Sequence, residues 1–270
     1  MTINIALFGV SGRMGRALLA AMRDQSDLKL SGALASPSSK TLGRDAGELA
    51  GGSRLGVAIT ADRTEALAGA HAVIDFTLAN SIPGTLHACA GHGCPLVVGT
   101  TGLSPASMAQ LRECAAQIPI VYSPNMSIGV NVMIGLVQTA ARALGLDFDL
   151  DIVDVHHRSK LDAPSGTALK LGEIAAAARG QDFARAAVLE PRADARGRSR
   201  GEIVFTSVRE GDQVGEHRVT FSGAGESLSL AHRASDRTIY ARGALLAARW
   251  LVGKRPGLYS MNEILSITIT

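Results

Sequence analysis

Near the N-terminus an apolar run, Ile3 to Phe8, breaks into Gly9-Val10-Ser11-Gly12-Arg13-Met14-Gly15-Arg16 and resumes with helical spacing as Ala17-Leu18-Leu19-Ala20-Ala21-Met22. Strand, glycine turn and helix in that order form the first half of a dinucleotide-binding fold. Gly12 lets the backbone approach a pyrophosphate, and Gly15 lets the helix lie close on the strand. The helix N-terminus turns its N–H groups toward the phosphates. The spacing is G-x-x-G-x-x-G, so the first glycine is displaced by one from the usual G-x-G-x-x-G pattern, and Ser11 takes a place that pattern gives to another residue.

The same alternation continues downstream. Leu28 to Leu34, Val57 to Thr60, Ala72 to Phe76, Pro95 to Gly99 and Ile120 to Ser123 read as strands, with helical stretches near Thr64 to Ala68, Pro83 to Ala90 and Pro105 to Ala116. Continuous apolar strands alternating with helices predict a doubly wound parallel α/β sheet covered on both faces. Ligands of such sheets sit at the carboxyl ends of the strands. Here those ends carry Gly9 to Gly15, Asp75-Phe76-Thr77, Gly99-Thr100-Thr101-Gly102 and Ser123-Pro124-Asn125-Met126, which are expected to line one crevice. After the second strand there is no Asp or Glu between Asp27 and Asp45. A carboxylate there would normally accept the ribose 2′-OH and repel a 2′-phosphate, whereas Ser36, Ser38, Ser39 and Lys40 offer donors and a cation. NADPH is therefore expected to serve at least as well as NADH.

Beyond Asn125 the pattern changes. Met126 to Leu144 is one long helical stretch whose Val130, Ile134, Val137 and Ala141 form a buried stripe. Strand-like segments follow at Asp151 to Val155, Ile203 to Val208, His217 to Phe221 and Ser227 to Ala231, giving an α+β domain with an open mixed sheet. An open sheet in so small a domain suggests oligomerisation through it. Asp236 to Leu251 reads as a helix that returns to the first domain. The expected division is residues 1–126 for dinucleotide binding, with 236–270 packing on it, and 127–235 for substrate binding and oligomerisation.

Within the second domain, Val155 to Ala168 (V-H-H-R-S-K-L-D-A-P-S-G-T-A) gathers two imidazoles, a guanidinium, an ammonium and a hydroxyl-rich turn ahead of a helix. His156 and His157 belong to the residue type that titrates near neutrality, Lys160 adds positive charge, and Ser165-Gly166-Thr167 opens a helix. That combination suits a small anion undergoing proton transfer. A dianion needs cations and oriented dipoles for both carboxylates, and Lys160, Arg158 and the helix terminus supply them. Negative charge left by hydride delivery must be quenched by a nearby proton source. With nicotinamide in the first domain and these groups in the second, domain closure would assemble the site.

The remaining features narrow the class. The 46% hydrophobic content over 270 residues is that of a globular protein with a core, and Lys+Arg exceed Asp+Glu by only 27 to 24, which lacks the basic field that nucleic acid needs. Arg179 to Arg200 is basic but interleaved with acids and reads as a solvated excursion. No signal-peptide pattern and no uninterrupted apolar segment of about 18 residues is apparent. A cytoplasmic protein without membrane contact is expected. Cys89, Cys94 and Cys114 make no disulfide framework. His87, Cys89, His92 and Cys94 lie close, but at a predicted helix end rather than at knuckle spacing, so no metal is expected.

The motifs are joint and ordered: G-V-S-G-R-M-G-R from Gly9, V-I-D-F-T from Val73, G-T-T-G from Gly99, N-M-S-I-G-V-N from Asn125, the H-H-R-S-K-L-D-A-P-S-G-T-A run from His156, and V-G-E-H from Val214. Over essentially its whole length the chain resembles the 4-hydroxy-tetrahydrodipicolinate reductase (dihydrodipicolinate reductase) family. The resemblance implies NAD(P)H-dependent reduction of a cyclic imine dicarboxylate with loss of water, on the diaminopimelate route to lysine, by a homotetramer. It implies His156 as proton donor and acceptor and Lys160 as second proton donor. His157 would contact one substrate carboxylate, and Ser165, Gly166 and Thr167 the other. Gly9, Val10, Ser11, Gly12, Arg13, Met14, Gly99, Thr100, Thr101, Ser123, Pro124, Asn125 and Met126 match the cofactor-contacting segments, with Ser36 at the ribose. Ala35-Ser36 departs from the acidic and basic residues many members carry there, which bears on cofactor preference. Two other readings share the first domain: a non-catalytic NADP(H)-sensing module, and an amino-acid dehydrogenase acting on an open-chain imine. A sensor has no evident need of the His156 to Lys160 run.

Overall fold

Ile5 and Leu7 on the first strand enter one apolar cluster while Ala6 and Phe8 enter another, so β1 (Ile3–Phe8) is buried on both faces. That is why it reads as a continuous apolar run. The computed structural model describes residues 2–189 and 198–267. In chain order there follow α1 (Arg13–Met22), β2 (Leu28–Leu34), α2 (Ala46–Leu49), β3 (Ile59–Thr60), α3 (Arg63–Leu67), β4 (Ala72–Asp75), α4 (Ile82–Gly91), β5 (Leu96–Val98), α5 (Pro105–Ala115) and β6 (Pro119–Tyr122). The third strand is shorter than its apolar pattern predicts. Ala58 forms an antiparallel bridge with Asp45, and Val57 accepts the N–H of Ala46, so this stretch braces α2 before the parallel pairing begins.

The next segment carries α6 (Ile128–Leu144), β7 (Asp149–His156), α7 (Gly166–Ala178), α8 (Phe183–Ala186), β8 (Ala187–Val188), β9 (Ile203–Arg209), β10 (Gly215–Gly223) and β11 (Glu226–Ala234). These strands make a five-stranded sheet ordered β11-β10-β7-β9-β8. It is mixed: β7 runs parallel to β9 and antiparallel to β10. Leu150, Ile152, Val219, Phe221, Ile203 and Phe205 share a core with Val137 of α6 and Leu171 and Ala175 of α7. Of the basic excursion, Arg179 lies over the Phe221 ring and Arg198 donates to Asp151, while Arg192 and Arg196 fall outside the described residues. Together with the turn after it, α6 spans Ile128–Asp147 and is long and apolar enough, by length and composition, to cross a membrane. Asn131, Gln138 and Arg142 interrupt it, and its buried Met133, Val137 and Ala141 pack in this core.

The chain then returns through α9 (Thr238–Leu251), β12 (Gly257–Tyr259) and α10 (Met261–Ile264). Two units result: Met1–Ile128 with Arg237–Ser266, and Gly129–Asp236 with Ile267–Thr270. In the first, all neighbours in a seven-stranded sheet ordered β12-β6-β5-β4-β1-β2-β3 pair parallel. Residues of α1, α9 and α10 pack on one face, and residues of α3, α4 and α5 on the other. Strand order reverses between β1 and β4, the place where such sheets hold a ligand. Sequence periodicity did not predict β12 or the short α2, α8, α10 and β8.

Candidate active site

The inward face of β7 reads Leu150, Ile152, Asp154, His156, so an apolar stripe ends in a carboxylate and an imidazole. Register completes the group. On β10, His217 stands opposite Asp154. On β9, Arg209 stands opposite His156. Asp154 is fully buried, and both its oxygens are in use. Oδ1 accepts the hydroxyl of Ser165 at 2.7 Å and lies 2.9 Å from His156 Nδ1 and 3.3 Å from His217 Nε2. Oδ2 accepts the Ser165 N–H at 2.8 Å and an Arg209 N–H at 2.9 Å. Burial pushes the carboxyl up, but the adjacent His156 and His217 rings and the hydrogen bonds from Ser165 outweigh it and hold Asp154 well below the usual carboxylate range.

Ser165 caps α7, its Oγ accepting the N–H of Ala168 at 3.3 Å and lying 3.1 Å from His217 Nε2. Because the single hydroxyl hydrogen goes to Asp154, His217 must carry its own proton on Nε2 to complete the contact. Ser165 is 2% exposed, and both its donors are committed to Asp154. The family resemblance implies a substrate contact for Ser165. In the structure it fixes where α7 begins, and the first-turn amides of Gly166 and Thr167 are the groups that helix geometry turns outward.

Between His156 and Ser165 the chain forms a cationic loop. Lys160 Nζ lies 2.8 Å from Asp162 Oδ1, and this hydrogen bond holds Asp162 below its ordinary value. His157 Nδ1 is 2.8 Å from Ser159 Oγ. Arg209 ties the loop down by donating to the Asp162 carbonyl at 2.6 Å, while Glu210 donates its N–H to the His156 carbonyl. Arg209, Asp154 and His217 were absent from the sequence-based set of site residues. The signals for them were the period-two face of β7 and the V-G-E-H motif.

Gly215 explains another letter of that motif. A Cβ built there would stand 2.8 Å from His156 Nε2, so only glycine leaves room for this ring position. Gly215→Ala is expected to displace the imidazole and lower kcat/KM by roughly 10- to 100-fold, in line with the cost of misplacing a reacting group by about 1 Å. Steady-state kinetics alongside thermal melts check this, and wild-type kcat/KM in a folded Gly215→Ala protein would contradict it.

In the first unit, Gly9, Ser11, Gly12 and Ser36 line one cavity with Leu34, Ala35, Arg63, Thr77 and Asn80. Gly9 has φ +83°, and a Cβ on it would meet the Phe76 carbonyl oxygen at 2.7 Å; one on Gly15 would meet the Val10 carbonyl at 2.4 Å. The N-cap of α1, Gly12, has no capping side chain. A tight glycine turn leading to an uncapped ten-residue helix is what a pyrophosphate requires, so these residues fit a dinucleotide. Val10 and Met126 are buried as whole residues. Arg13 and Met14 stand in the first turn of α1 and, like Val10, do not line that cavity.

Gly99, Thr100 and Thr101 follow β5, and Ser123 to Met126 follow β6, at the same carboxyl edge of the sheet but outside that cavity. Buried Asp75 ties this edge together, accepting hydroxyl hydrogens from Thr77, Thr85 and Thr100. Ser123 donates to the Asn125 carbonyl at 2.7 Å, closing the turn that contains Pro124.

Two family models match the chain, the dihydrodipicolinate reductase N-terminus over residues 3–126 and its C-terminus over residues 129–265. The chain belongs to the dihydrodipicolinate reductase family. Relatives in this family named 4-hydroxy-tetrahydrodipicolinate reductase include one from Alkalilimnicola ehrlichii, 46% identical over 99% of this chain and 100% of that protein. Another, from Thiobacillus denitrificans, is 44% identical over the same shares. The fold matches a dipicolinate-bound dihydrodipicolinate reductase from Paenisporosarcina sp. TG-14, with TM-score 0.78, 24% identity, and 97% and 99% of the two chains covered. An amine dehydrogenase from Mycobacterium smegmatis shares the fold at TM-score 0.66 and 15% identity, covering 97% and 96%.

Neither cluster of metal-ligand residue types in this family member reads as a metal centre. Ligand atoms of Asp154, His156 and His217 lie within 4.8 Å of one another, but the carboxylate also holds Ser165 and an arginine whose charge opposes a cation. Cys89 and Cys94 are core residues whose thiols burial pushes up, that of Cys94 to about 11, and His92 Nδ1 sits against the Ala88 carbonyl.

Proposed function

We propose that the chain reduces 4-hydroxy-tetrahydrodipicolinate to tetrahydrodipicolinate with loss of water, using a reduced pyridine nucleotide, on the diaminopimelate route to lysine. The observation that carries this reading is the Asp154 hub, which fixes an imidazole and a helix N-terminus beside a lysine-bearing loop. The family's curated relatives support the substrate, and a related reductase has been solved with a planar dicarboxylate, dipicolinate.

The first unit binds the nucleotide through Gly9 to Met14, Ser36, Gly99 to Thr101 and Ser123 to Met126, and the second binds the dicarboxylate. When bound, the reduced nicotinamide supplies a hydride. His157 and Lys160 neutralise one carboxylate of the substrate, while the amides of Gly166 and Thr167 hold the other. Lys160 gives a proton to the reduced imine, and His156 exchanges the second proton with Asp154 stabilising its charged form. Ser165 and Arg209 position these groups and touch no substrate. The working assembly is a cytoplasmic homotetramer formed through the outward face of the second sheet, where Arg218, Ser229 and Ala231 are exposed.

An assay in which the upstream synthase generates the unstable substrate, followed by loss of nucleotide absorbance, tests reaction and preference together. NADPH is expected to give a kcat/KM at least equal to that of NADH, because no acid follows β2. A strong NADH preference would contradict the second point, and no turnover with either would contradict the first.

A further inference from the structure

The cavity beside the glycine turn measures about 370 Å³, and among the described residues Arg63 is the only charged side chain lining it. The other polar side chains there, Ser11, Ser36, Thr77, Asn80 and Ser81, are neutral. Lys40, Ser38 and Ser39, which sequence reading offered as phosphate ligands, do not line it. Arg63 begins α3, and its guanidinium rests on Gly84 of α4, where a Cβ would stand 3.0 Å from Cζ. Its Nε is buried and has no hydrogen-bond partner among the described residues. The adjacent acids are turned elsewhere: Asp62 accepts the N–H groups of Thr64 and Glu65, and Glu65 accepts the Thr60 hydroxyl. Neither acid lines the cavity.

The Arg63 guanidinium makes no hydrogen bond or ion pair among the described residues, and an anion in the cavity is the natural complement of its terminal nitrogens. The guanidinium fork matches phosphate oxygens, and nothing acidic in the cavity repels them. We propose that Arg63, with Ser36, holds the 2′-phosphate of NADPH, so that cofactor choice in this chain is set from α3 rather than from the loop after β2. The proposal rests on the reading of the first unit as the nucleotide domain.

Calorimetric titration of the full-length protein with 2′,5′-ADP and with ADP separates the two ideas without any turnover. Wild type is expected to prefer 2′,5′-ADP. Arg63→Ala should weaken 2′,5′-ADP by about 10- to 100-fold while changing ADP by less than about threefold, the range for losing a charge-assisted hydrogen-bond pair. Arg63→Met, which keeps the stem over Gly84, should do the same and guards against a packing defect in the alanine variant. Equal losses for both ligands, no loss for either, or a larger loss of 2′,5′-ADP in Lys40→Ala would overturn the assignment to Arg63 while leaving the nucleotide domain standing. Wild type that binds neither ligand would overturn the nucleotide domain, and the proposal with it.

Discussion

Asp154→Asn is expected to lower kcat by about 100-fold or more while leaving nucleotide affinity unchanged. The amide keeps the shape of the carboxylate, but its NH2 cannot accept, so a donor among Ser165, His156 and Arg209 loses its partner. His156 then loses the negative neighbour that favours its charged form, and removing the comparable carboxylate of a catalytic histidine elsewhere costs about 10⁴-fold. Stability should fall as well, by roughly 3 kcal/mol, because Arg209 is left largely buried without its charge partner.

The pH dependence separates this from a general packing defect. The folded-state pKa of Asp154 lies below its ordinary value of 3.8, so its stabilisation is complete above that value and is lost as pH falls toward the folded pKa. The gap in melting temperature between wild type and Asp154→Asn should therefore be flat above about pH 5 and narrow below about pH 4. A gap that does not narrow, with wild-type kcat, would remove Asp154 from the account.

Lys160→Ala should also reduce kcat by about 100-fold or more, but with a different signature. Lys160 pairs with Asp162, whose side chain is 59% exposed, and exposed pairs add little to stability. The variant should melt like wild type. KM for the dicarboxylate should rise too, because the ammonium balances substrate charge as well as supplying a proton. Titration with NADPH should be unchanged, since the nucleotide is assigned to the other unit. Unchanged turnover in this variant would take Lys160 out of the mechanism.

Much of this molecule could be read from its sequence because strands buried on both faces announce themselves as apolar runs, as β1, β4, β5 and β6 do. The last strand of that sheet, Gly257–Tyr259, is short and only partly buried, and it joins an edge after α9, so no periodicity marks it. The cationic loop was legible through charge density alone, since His156, His157 and Lys160 crowd one segment. Their support was not, because Asp154, Arg209 and His217 are brought together only by the register of β7 with β9 and β10. Arg63 was hidden for the same reason. It opens an unremarkable helix, and only folding carries it to the cavity shared with Gly12 and Ser36.

The most direct measurement is isotope transfer from reduced nicotinamide nucleotide carrying two deuteriums at C4, with substrate supplied by the upstream synthase and product analysed by mass spectrometry. The account predicts tetrahydrodipicolinate that has gained one deuterium, formed in step with nucleotide oxidation. Product without label, or nucleotide left unoxidised while the chain is folded and binds it, would contradict the account and favour a sensing role.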